Sequence, residues 1–159
     1  MTKEVVVLMG GRSSEREVSI MSGVAVSESL KENGYSVTKI DFQSGDLLLK
    51  QLVKKSPDMI FNALHGKYGE DGCVQGLLNI LGIPYTHSGV IASAIAMDKH
   101  MTKKVLDTCN ILSPDHQILT RGELSSNLGI DAPFVIKPIT EGSSVGVKII
   151  RDEKEINFK

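Results

Sequence analysis

The sequence predicts an α/β protein whose N-terminal part is built on a parallel sheet and whose C-terminal part is α+β. The run at 5–9 is continuously apolar, strand signals recur at 37–42 and 59–64, and helical segments separate the three. Continuous runs are typical of strands that helices cover on both faces, as in a parallel sheet. Beyond Ser113-Pro114 apolar and polar residues alternate instead, which indicates strands with one solvated face.

The first strand, loop and helix follow one another at the N-terminus. The apolar run Val5–Met9 ends at Gly10-Gly11, and a helix follows as far as Asn33-Gly34. Ser14 stands three residues before Glu17, which is the spacing of a capping box at a helix start. The apolar face predicted for this helix comprises Val18, Met21 and Ala25.

The next elements continue the alternation of strands and helices. They are strands over 37–42, 59–64 and 84–86 and helices over 47–53 and 71–81. Gly82 supplies the stop signal of the last helix. Repeated strand, helix and strand units of this kind predict a right-handed parallel sheet.

Two helices that meet near Asp98 lead from the sheet to the C-terminal part. We place the domain boundary at Ser113-Pro114, which gives an N-terminal α/β domain with connecting helices over 1–112 and a second domain over 113–159. The strands predicted in the second domain are 117–119, 134–137 and 145–150, the last with Val145, Val147 and Ile149 on its buried face. Because only these strands and the start of a helix at 152–155 remain, the second domain is expected to be incomplete.

Charge and composition exclude several classes of function. The chain has 18 basic and 19 acidic residues, which leaves no diffuse positive field for nucleic acid or an anionic membrane. Cys73 and Cys109 form neither a disulfide framework nor a zinc motif, so no metal site is predicted and a reducing cytoplasm is expected. The first apolar run is too short for a signal peptide or a membrane span. Small molecules or protein are the expected partners.

The loop after the first strand is a candidate site, since open α/β sheets bind ligands at the carboxyl ends of their strands. Its sequence, GGRSSEREVS, lacks the GxGxxG fingerprint, and Glu15 would repel a pyrophosphate. Glu17 has a structural role available in the capping box, whereas Glu15 has none. We therefore predict that Glu15 binds a cationic ammonium group; a solvated acid at a helix start is the alternative.

A second candidate site follows the third strand, in the segment HGKYGEDG with Gln75-Gly76 beyond it. The glycines let the backbone approach a ligand closely. His65 falls at the same predicted sheet edge as Glu15, although a histidine there is more often a hydrogen-bonded structural residue. Glu70 and Asp71 are explained as acids at the start of a helix.

A third candidate site is the Gly/Ser turn KPITEGSSVG, which begins at Lys137. Backbone amides and hydroxyls in such a turn can hold phosphate oxygens while the lysine adds positive charge, although this is not a Walker A loop. A Gly-Ser-Ser hairpin is otherwise a flexible turn. Lys99, taken alone, is typical of a surface lysine.

Together these segments resemble the D-alanine-D-alanine ligases, an ATP-grasp family. The motifs GGRSSEREVS, ALHGKYGEDGCVQG, YTHSG, ASAIAMDK and VIKPITEGSSVG occur in the family's order and at about its spacing. The resemblance implies a Rossmann-like, pre-ATP-grasp N-terminal domain followed by the first strands of the ATP-grasp central domain. It also implies an ATP-dependent carboxylate-amine ligase of peptidoglycan and cell-wall synthesis, which phosphorylates one D-alanine and joins it to a second.

The resemblance implies roles for three residues at the amino-acid site. Glu15 matches the ligand of the first D-alanine's ammonium group, and His65 matches the histidine beside that substrate. Ser143 matches the serine that links Glu15 to the loop that closes over the active site.

At the nucleotide site, the resemblance assigns Lys99 and Lys137 to two ATP-binding lysines. Gly142, Ser143 and Ser144 match the glycine-rich loop that closes on the phosphates. Phosphoryl transfer depends mainly on positioning and charge neutralisation, and two lysines with an amide-rich loop supply both.

Other parts of the family pattern lie outside the matched residues. The Mg²⁺ ligands, the arginine for the transferring phosphoryl group and the second-substrate site belong to the family's C-terminal half. The resemblance therefore implies that this chain is an incomplete half that is inactive alone, because magnesium neutralises much of the developing charge. A homodimer through the N-terminal domain is implied as well.

One residue departs from the family pattern, and two other functions stay open. His87 occupies the position in YTHSG where the family usually has glycine. The chain could instead be a non-catalytic module that binds an amino acid or a protein partner. It could also belong to a related ATP-grasp ligase of the D-Ala-D-lactate type, because the residues that select the second substrate lie in the other half of the family.

Overall fold

The structure is a computed structural model that describes residues 2–120, 123 and 129–155. The chain divides into two compact units, Met1–Met97 and Asp98–Lys159. The division precedes the second of the two helices that we expected to connect the domains, so that helix groups with the second unit. Compactness does not test where the functional domains divide, and the boundary at 112/113 stays a prediction.

The first unit contains a four-stranded parallel sheet in the order β2-β1-β3-β4. Its strands are β1 (Glu4–Gly10), β2 (Ser36–Phe42), β3 (Met59–Asn62) and β4 (Tyr85–Thr86). The α/β fold with a parallel sheet, predicted from the alternation of strands and helices and from the continuous apolar run of the first strand, is confirmed. Because β1 and β3 are neighbours that run in the same direction, their carboxyl ends lie next to each other.

The core is centred on β1, where Val6, Val7 and Leu8 have no exposed surface. One face of the sheet packs against α2 (Gly45–Lys55) and α3 (Cys73–Leu81). Full burial of an aliphatic side chain contributes about 1.5–3 kcal/mol relative to its exposure. The hydrophobic contribution is therefore concentrated in the strand that ends at the first candidate loop.

The helix α1 (Arg16–Glu32) packs against β1 through small side chains. Its buried residues, four positions apart, are Ser19, Gly23 and Ser27. The predicted apolar face of Val18, Met21 and Ala25 is wrong, since all three are exposed. Small residues are required because the helix lies very close to the strand: a Cβ at Gly23 would lie 2.5 Å from the Cβ of Met9.

The predicted capping box at Ser14 and Glu17 is also wrong. The helix begins at Arg16 with Glu15 in the N-cap position, and no side-chain cap bond forms there among the described residues. The hydroxyl of Ser13 accepts the Glu15 N–H instead, at 3.2 Å. The same hydroxyl also donates to the backbone carbonyl of His65, far along the chain. A local sequence motif does not encode that second contact, and the capping-box pattern therefore pointed to Ser14.

The remaining helices of the first unit follow the sequence prediction more closely. Ser44 caps α2 by accepting the Leu47 N–H, and α3 ends at Gly82, whose φ of +66° is a left-handed conformation suited to glycine. However, α3 begins at Cys73, two residues later than predicted. The helix α4 (Val90–Met97) completes the unit.

The second unit begins with α5 (Lys99–Thr108), whose first N–H groups are capped by Asp98. Two helices meeting near Asp98 were predicted, and they are confirmed. A short antiparallel pair follows, formed by β5 (Phe134–Ile136) and β6 (Lys148–Ile150). One 3-10 turn, Glu153–Glu155, comes after it.

Two strand predictions in the second unit are wrong. Residues 117–119 lie in a segment without regular secondary structure. In the last strand, Ile149 is 54% exposed and Ile150 is the buried residue, so the predicted faces are exchanged. The strand begins only at Lys148, because Val147 still belongs to the preceding turn, in which its N–H donates to the carbonyl of Ser144. Side chains alternate between the two faces of a strand, so a change of one residue in the pairing exchanges the buried and the exposed side chains.

Candidate functional site

The loops that follow β1 and β3 meet at the carboxyl edge of the sheet. The Ser13 hydroxyl, on the first loop, donates to the backbone carbonyl of His65, on the second, at 2.7 Å. A Cβ built at Gly66 would lie 3.0 Å from Oε2 of Glu15. The structure therefore brings Glu15 next to the loop that carries His65, as the parallel order of the strands predicts.

Glu15 occupies an unusual electrostatic position. Its Oε2 is buried and has no hydrogen-bond partner among the described residues. A buried acceptor without a donor costs about 1–3 kcal/mol, so native structures usually retain one only where something else satisfies it. The carboxylate also stands at the N-terminus of α1, where the helix dipole favours negative charge. Together these features suit a ligand that carries a hydrogen-bond-donating cation.

His65 is held near an acidic side chain of its own loop. Its Nδ1 lies 3.8 Å from Oε1 of Glu70, and the imidazole side chain is 32% exposed. The other oxygen of Glu70 accepts the Gly66 N–H at 2.6 Å. Glu70 thus fixes the loop backbone and can pair with a protonated His65. The histidine keeps a solvent-facing surface from which it can approach a ligand.

The explanation of Glu70 and Asp71 as acids of a helix's first turn is wrong, because both precede α3. Asp71 accepts the N–H groups of Tyr68 at 2.8 Å and of Cys73 at 3.1 Å. Both carboxylates bind backbone amides of the loop, which bends through left-handed conformations and cannot satisfy those amides by helix formation.

Two side-chain amides bind the same loop: Gln75, which belongs to the second candidate segment, and Asn62, which the sequence pattern did not make a candidate. Nδ2 of Asn62 and Nε2 of Gln75 each donate to the carbonyl of Gly69 at 2.8 Å. Gln75 is fully buried. The signal available in the sequence was Asn62 itself, a polar residue in an otherwise apolar strand, where a buried amide needs a partner.

A second pair fixes the first loop on its opposite side. Arg16 forms two hydrogen bonds with Asp41 at the end of β2, at 2.7 and 2.6 Å, and also donates to the carbonyl of Gly11 at 3.1 Å. The bond from Arg16 holds the pKa of Asp41 below its ordinary value. Gly10 has to be glycine here, since a Cβ would lie 2.0 Å from the Asp41 carboxylate.

A cavity of about 530 Å³ lies beside these loops. Neither Glu15 nor His65 contributes to it. Its lining includes the apolar or aromatic residues Phe42, Leu48, Tyr68, Val74 and Leu77 and the polar residues Arg12, Ser44 and Asp46. The carboxylate of Asp46 in this lining already accepts the Ser44 hydroxyl and lies 3.9 Å from Nζ of Lys50, whereas Oε2 of Glu15 has no partner among the described residues.

In the second unit, Lys99 is tied to the backbone that leads into the Gly/Ser turn. Its Nζ donates to the carbonyls of Ile139 at 3.3 Å and Glu141 at 2.6 Å, and its backbone N–H also donates to Ile139 at 3.1 Å. Lys99 is thus a lysine near the surface whose ammonium group is held by two backbone carbonyls. Lys99 and the turn form one local structure.

The turn itself joins β5 to β6. Lys137, Ser143 and Ser144 are exposed, and Ser143 has a left-handed φ of +51°. Gly146 lies against Pro138, where a Cβ would approach the ring to 2.7 Å. Exposed hydroxyls, a lysine and a tightly bent backbone are groups that can contact phosphate oxygens. The roles predicted for Lys137, Gly142, Ser143 and Ser144 stay predictions.

Two findings concern metals and membranes. Within the described ranges, no group of three or more histidine, cysteine, aspartate or glutamate side chains is placed to hold a metal ion. No helix in the same part of the chain is both long and apolar enough to cross a membrane.

Comparison with known proteins gives a consistent family. The sequence profile described as D-ala D-ala ligase N-terminus matches residues 4–55 and 44–88. The D-alanine--D-alanine ligase of Paramagnetospirillum magneticum is 46% identical over 155 residues, which are 97% of this chain and 51% of that protein. The ligase of Parvibaculum lavamentivorans is 52% identical over 94% of this chain and 48% of its own length.

Solved structures agree with the sequence comparisons. A crystal structure of D-alanine--D-alanine ligase from Bacillus anthracis matches with a TM-score of 0.79 at 43% identity, over 98% of this chain and 51% of that one. A structure of the B. anthracis ligase complexed with ATP matches at 0.76 and 40% identity, over 98% and 52%. The chain spans about half the length of the relatives it matches. It belongs to the D-alanine-D-alanine ligase family, and its residues correspond to that family's N-terminal region.

Proposed function

We propose that this chain carries the first D-alanine site of an ATP-dependent D-alanine-D-alanine ligase. The observation that carries the proposal is Oε2 of Glu15, which is buried and has no partner among the described residues. The α-ammonium group of an amino acid supplies both the positive charge and the N–H donor that this oxygen lacks. His65 lies on the adjacent loop and approaches the same amino acid.

The proposed reaction joins two D-alanine molecules at the expense of ATP. The carboxylate of the first D-alanine takes the γ-phosphoryl group of ATP, which releases ADP and leaves an acyl phosphate. The amine of the second D-alanine then attacks the acyl carbon, and phosphate and a proton leave as the peptide bond forms. The product serves peptidoglycan precursor synthesis in the cytoplasm. Glu15 holds the first substrate's ammonium group and so fixes where its carboxylate lies.

We also propose that the second unit contacts the phosphates of ATP. The local structure fits: Lys99 is bonded to the backbone of residues 139–141, and Ser143 and Ser144 expose their hydroxyls one turn further on. Lys137 adds a second positive charge at the entrance of the turn. ATP supplies the phosphoryl group when bound, while these residues orient the phosphates and offset their charge.

Magnesium is proposed for the reaction and not for a site in the described residues. The described side chains do not fit a metal site of their own, because they provide no cluster of three or more candidate ligands. The resemblance to the family implies Mg²⁺ with the nucleotide, and its ligands belong to the family's C-terminal half.

Binding of D-alanine tests the amino-acid site without requiring turnover. Isothermal titration with D-alanine should give saturable heat, and L-alanine should bind more weakly. Glu15→Gln keeps the shape and removes the charge, so it should weaken binding about tenfold or more, since a charge-assisted hydrogen bond is worth about 1.5–3 kcal/mol. Glu17→Gln is the matched control, because Glu17 is exposed in the same helical turn. Equal loss in both variants would contradict the assignment.

Turnover tests the wider proposal. The family's C-terminal half carries the second-substrate site, so the 159-residue chain alone should release no ADP that depends on D-alanine, ATP and magnesium. Adding D-alanine and ATP to a ligase that contains this sequence together with the C-terminal half should give such release. ADP release by the 159-residue chain itself would contradict the inference that turnover needs residues of the family's C-terminal half.

A homodimer through the first unit is proposed from an exposed apolar surface. Ile80 on α3 is 84% exposed and Ile91 on α4 is 75% exposed, and α4 contains no charged residue. A second copy of the chain would cover this surface. Ile91→Glu should shift the sedimentation coefficient from that of a dimer to that of a monomer. Met21→Glu, on the exposed face of α1, should leave the sedimentation coefficient unchanged. A monomeric wild type would refute the proposal.

A further inference from the structure

The two loops of the proposed amino-acid site come from distant parts of the sequence. Glu15 follows β1 and His65 follows β3, and the hydrogen bond between Ser13 and His65 spans 52 positions. Adjacent strands bring the loops to one edge, but they do not fix the distance between two side chains at that edge. A contact between the loops themselves has to set it.

The hydroxyl of Ser13 makes that contact with both ligand-binding residues. It donates to the backbone carbonyl of His65 at 2.7 Å and accepts the backbone N–H of Glu15 at 3.2 Å. A hydroxyl has one proton to donate, and Ser13 uses it on the neighbouring loop. The approach is close, since a Cβ at Gly66 would lie 3.1 Å from the Ser13 Cβ.

We propose that Ser13 is a positioning residue that holds the Glu15 loop and the His65 loop in one arrangement, so that both residues act on the same amino acid. This inference rests on the proposed function, because it concerns the same site. Ser13 does not itself need to touch the ligand. It acts by fixing the backbone of both residues that do.

Each loop has a second anchor that does not involve Ser13. Arg16 binds Asp41 on the side of β2, and the amides of Asn62 and Gln75 bind the second loop. Removal of the Ser13 hydroxyl should therefore leave both loops folded and release only their coupling. If Ser13 only stabilised the fold, its replacement would lower the free energy of unfolding and leave the backbone amides of the His65 loop unchanged in the folded protein.

The first part of the test measures the coupling of the two loops in the absence of ligand. Amide chemical shifts and hydrogen-exchange rates are compared between Ser13→Ala and Ser14→Ala, the latter being exposed in the same loop. Ser13→Ala should shift the amides of residues 65–70 and raise their exchange rates, whereas Ser14→Ala should not. Unchanged amides over 65–70 in Ser13→Ala would overturn the proposal.

The second part uses D-alanine as the probe under conditions where every variant is folded. Wild type and Ser14→Ala should bind alike, and D-alanine should shift amides in both loops. Ser13→Ala should bind about fivefold more weakly, the loss expected for one hydrogen bond, and the ligand-induced shifts over 65–70 should fall. Wild-type affinity in Ser13→Ala would refute the positioning role. No binding by wild type would refute the proposed function, while the first part would still decide whether Ser13 couples the loops.

Discussion

Replacement of Gly66 by alanine tests the geometry of the amino-acid site most directly. Gly66 has a φ of +68°, and a Cβ there would lie 3.0 Å from Oε2 of Glu15 and 3.1 Å from the Cβ of Ser13. Ordinary van der Waals contact begins at 3.4 Å, so the carboxylate has to move by several tenths of an ångström. The change therefore has two consequences, one for stability and one for the ligand.

The two consequences can be separated with a second glycine. Gly82 has nearly the same φ, +66°, but a Cβ there meets nothing within 4 Å among the described residues. A left-handed conformation costs a residue with a Cβ about 1–2 kcal/mol, so Gly66→Ala and Gly82→Ala should both lose about that free energy of unfolding. Only Gly66→Ala should also displace Glu15.

The expected result is a difference in affinity between the two variants. Misplacing one charge-assisted hydrogen bond should weaken D-alanine binding about tenfold in Gly66→Ala, and Gly82→Ala should bind as the wild type does. Guanidinium unfolding measures the first quantity, and isothermal titration of the folded proteins measures the second. Wild-type affinity in Gly66→Ala, or an equal loss in both variants, would refute the claim that the loop crowds Glu15.

The remaining predictions concern the fold of the first unit. Gly23→Ala should lower the free energy of unfolding by about 1–2 kcal/mol, because the 2.5 Å contact with a methionine Cβ on β1 outweighs the preference of helices for alanine. Gly76→Ala is the matched control in α3, where a Cβ meets nothing within 4 Å among the described residues, and it should raise the free energy of unfolding by about 0.5–1 kcal/mol. Chemical unfolding measures the free energy of both variants. A stabilised Gly23→Ala would contradict the close packing of α1. His87→Gly should raise the melting temperature by several degrees, since His87 is exposed and its φ of 148° suits glycine; no rise would mean that the position carries no strain. The hydrogen bond from Arg16 lowers the pKa of Asp41 in the folded protein, so the ionised pair stabilises the fold above the unfolded pKa of about 3.9. This stabilisation is lost as pH falls through the lower pKa of the folded state. The stability difference between wild type and Asp41→Asn should thus be constant above about pH 5 and shrink below pH 4 in denaturant titrations; a difference independent of pH would exclude the pair with Arg16 as its source.

Most of the first unit could be predicted because its central strand is buried on both faces and strands alternate with helices along the chain. A continuous apolar run such as Val5–Met9 is a local property, and a residue such as Gly82 marks the end of a helix in any context. The packed face of α1 could not be predicted in this way. Hydrophobicity favours Val18 and Met21, but the short distance between helix and strand admits only Ser19, Gly23 and Ser27.

The candidate site shows the same division. Glu15 was a candidate because it had no local structural role, and His65 because it follows a strand at the same sheet edge. Asp41 and Asn62 were missed, since their partners lie on other elements. Ser14 was the predicted capping residue because the capping-box spacing is local, whereas the bond from Ser13 to His65 exists only after the sheet has formed.

The sequence by itself determined the fold class, the order of the strands and helices in the first unit, and the resemblance that identifies the family, because each depends on residues close together in the chain. Only the tertiary structure decided which serine joins the loops, which face of α1 is buried, and that an oxygen of Glu15 is left without a partner among the described residues. These properties depend on distances between elements that are far apart in sequence. Such distances are set by how closely the elements pack, and a local pattern of residue types does not record them.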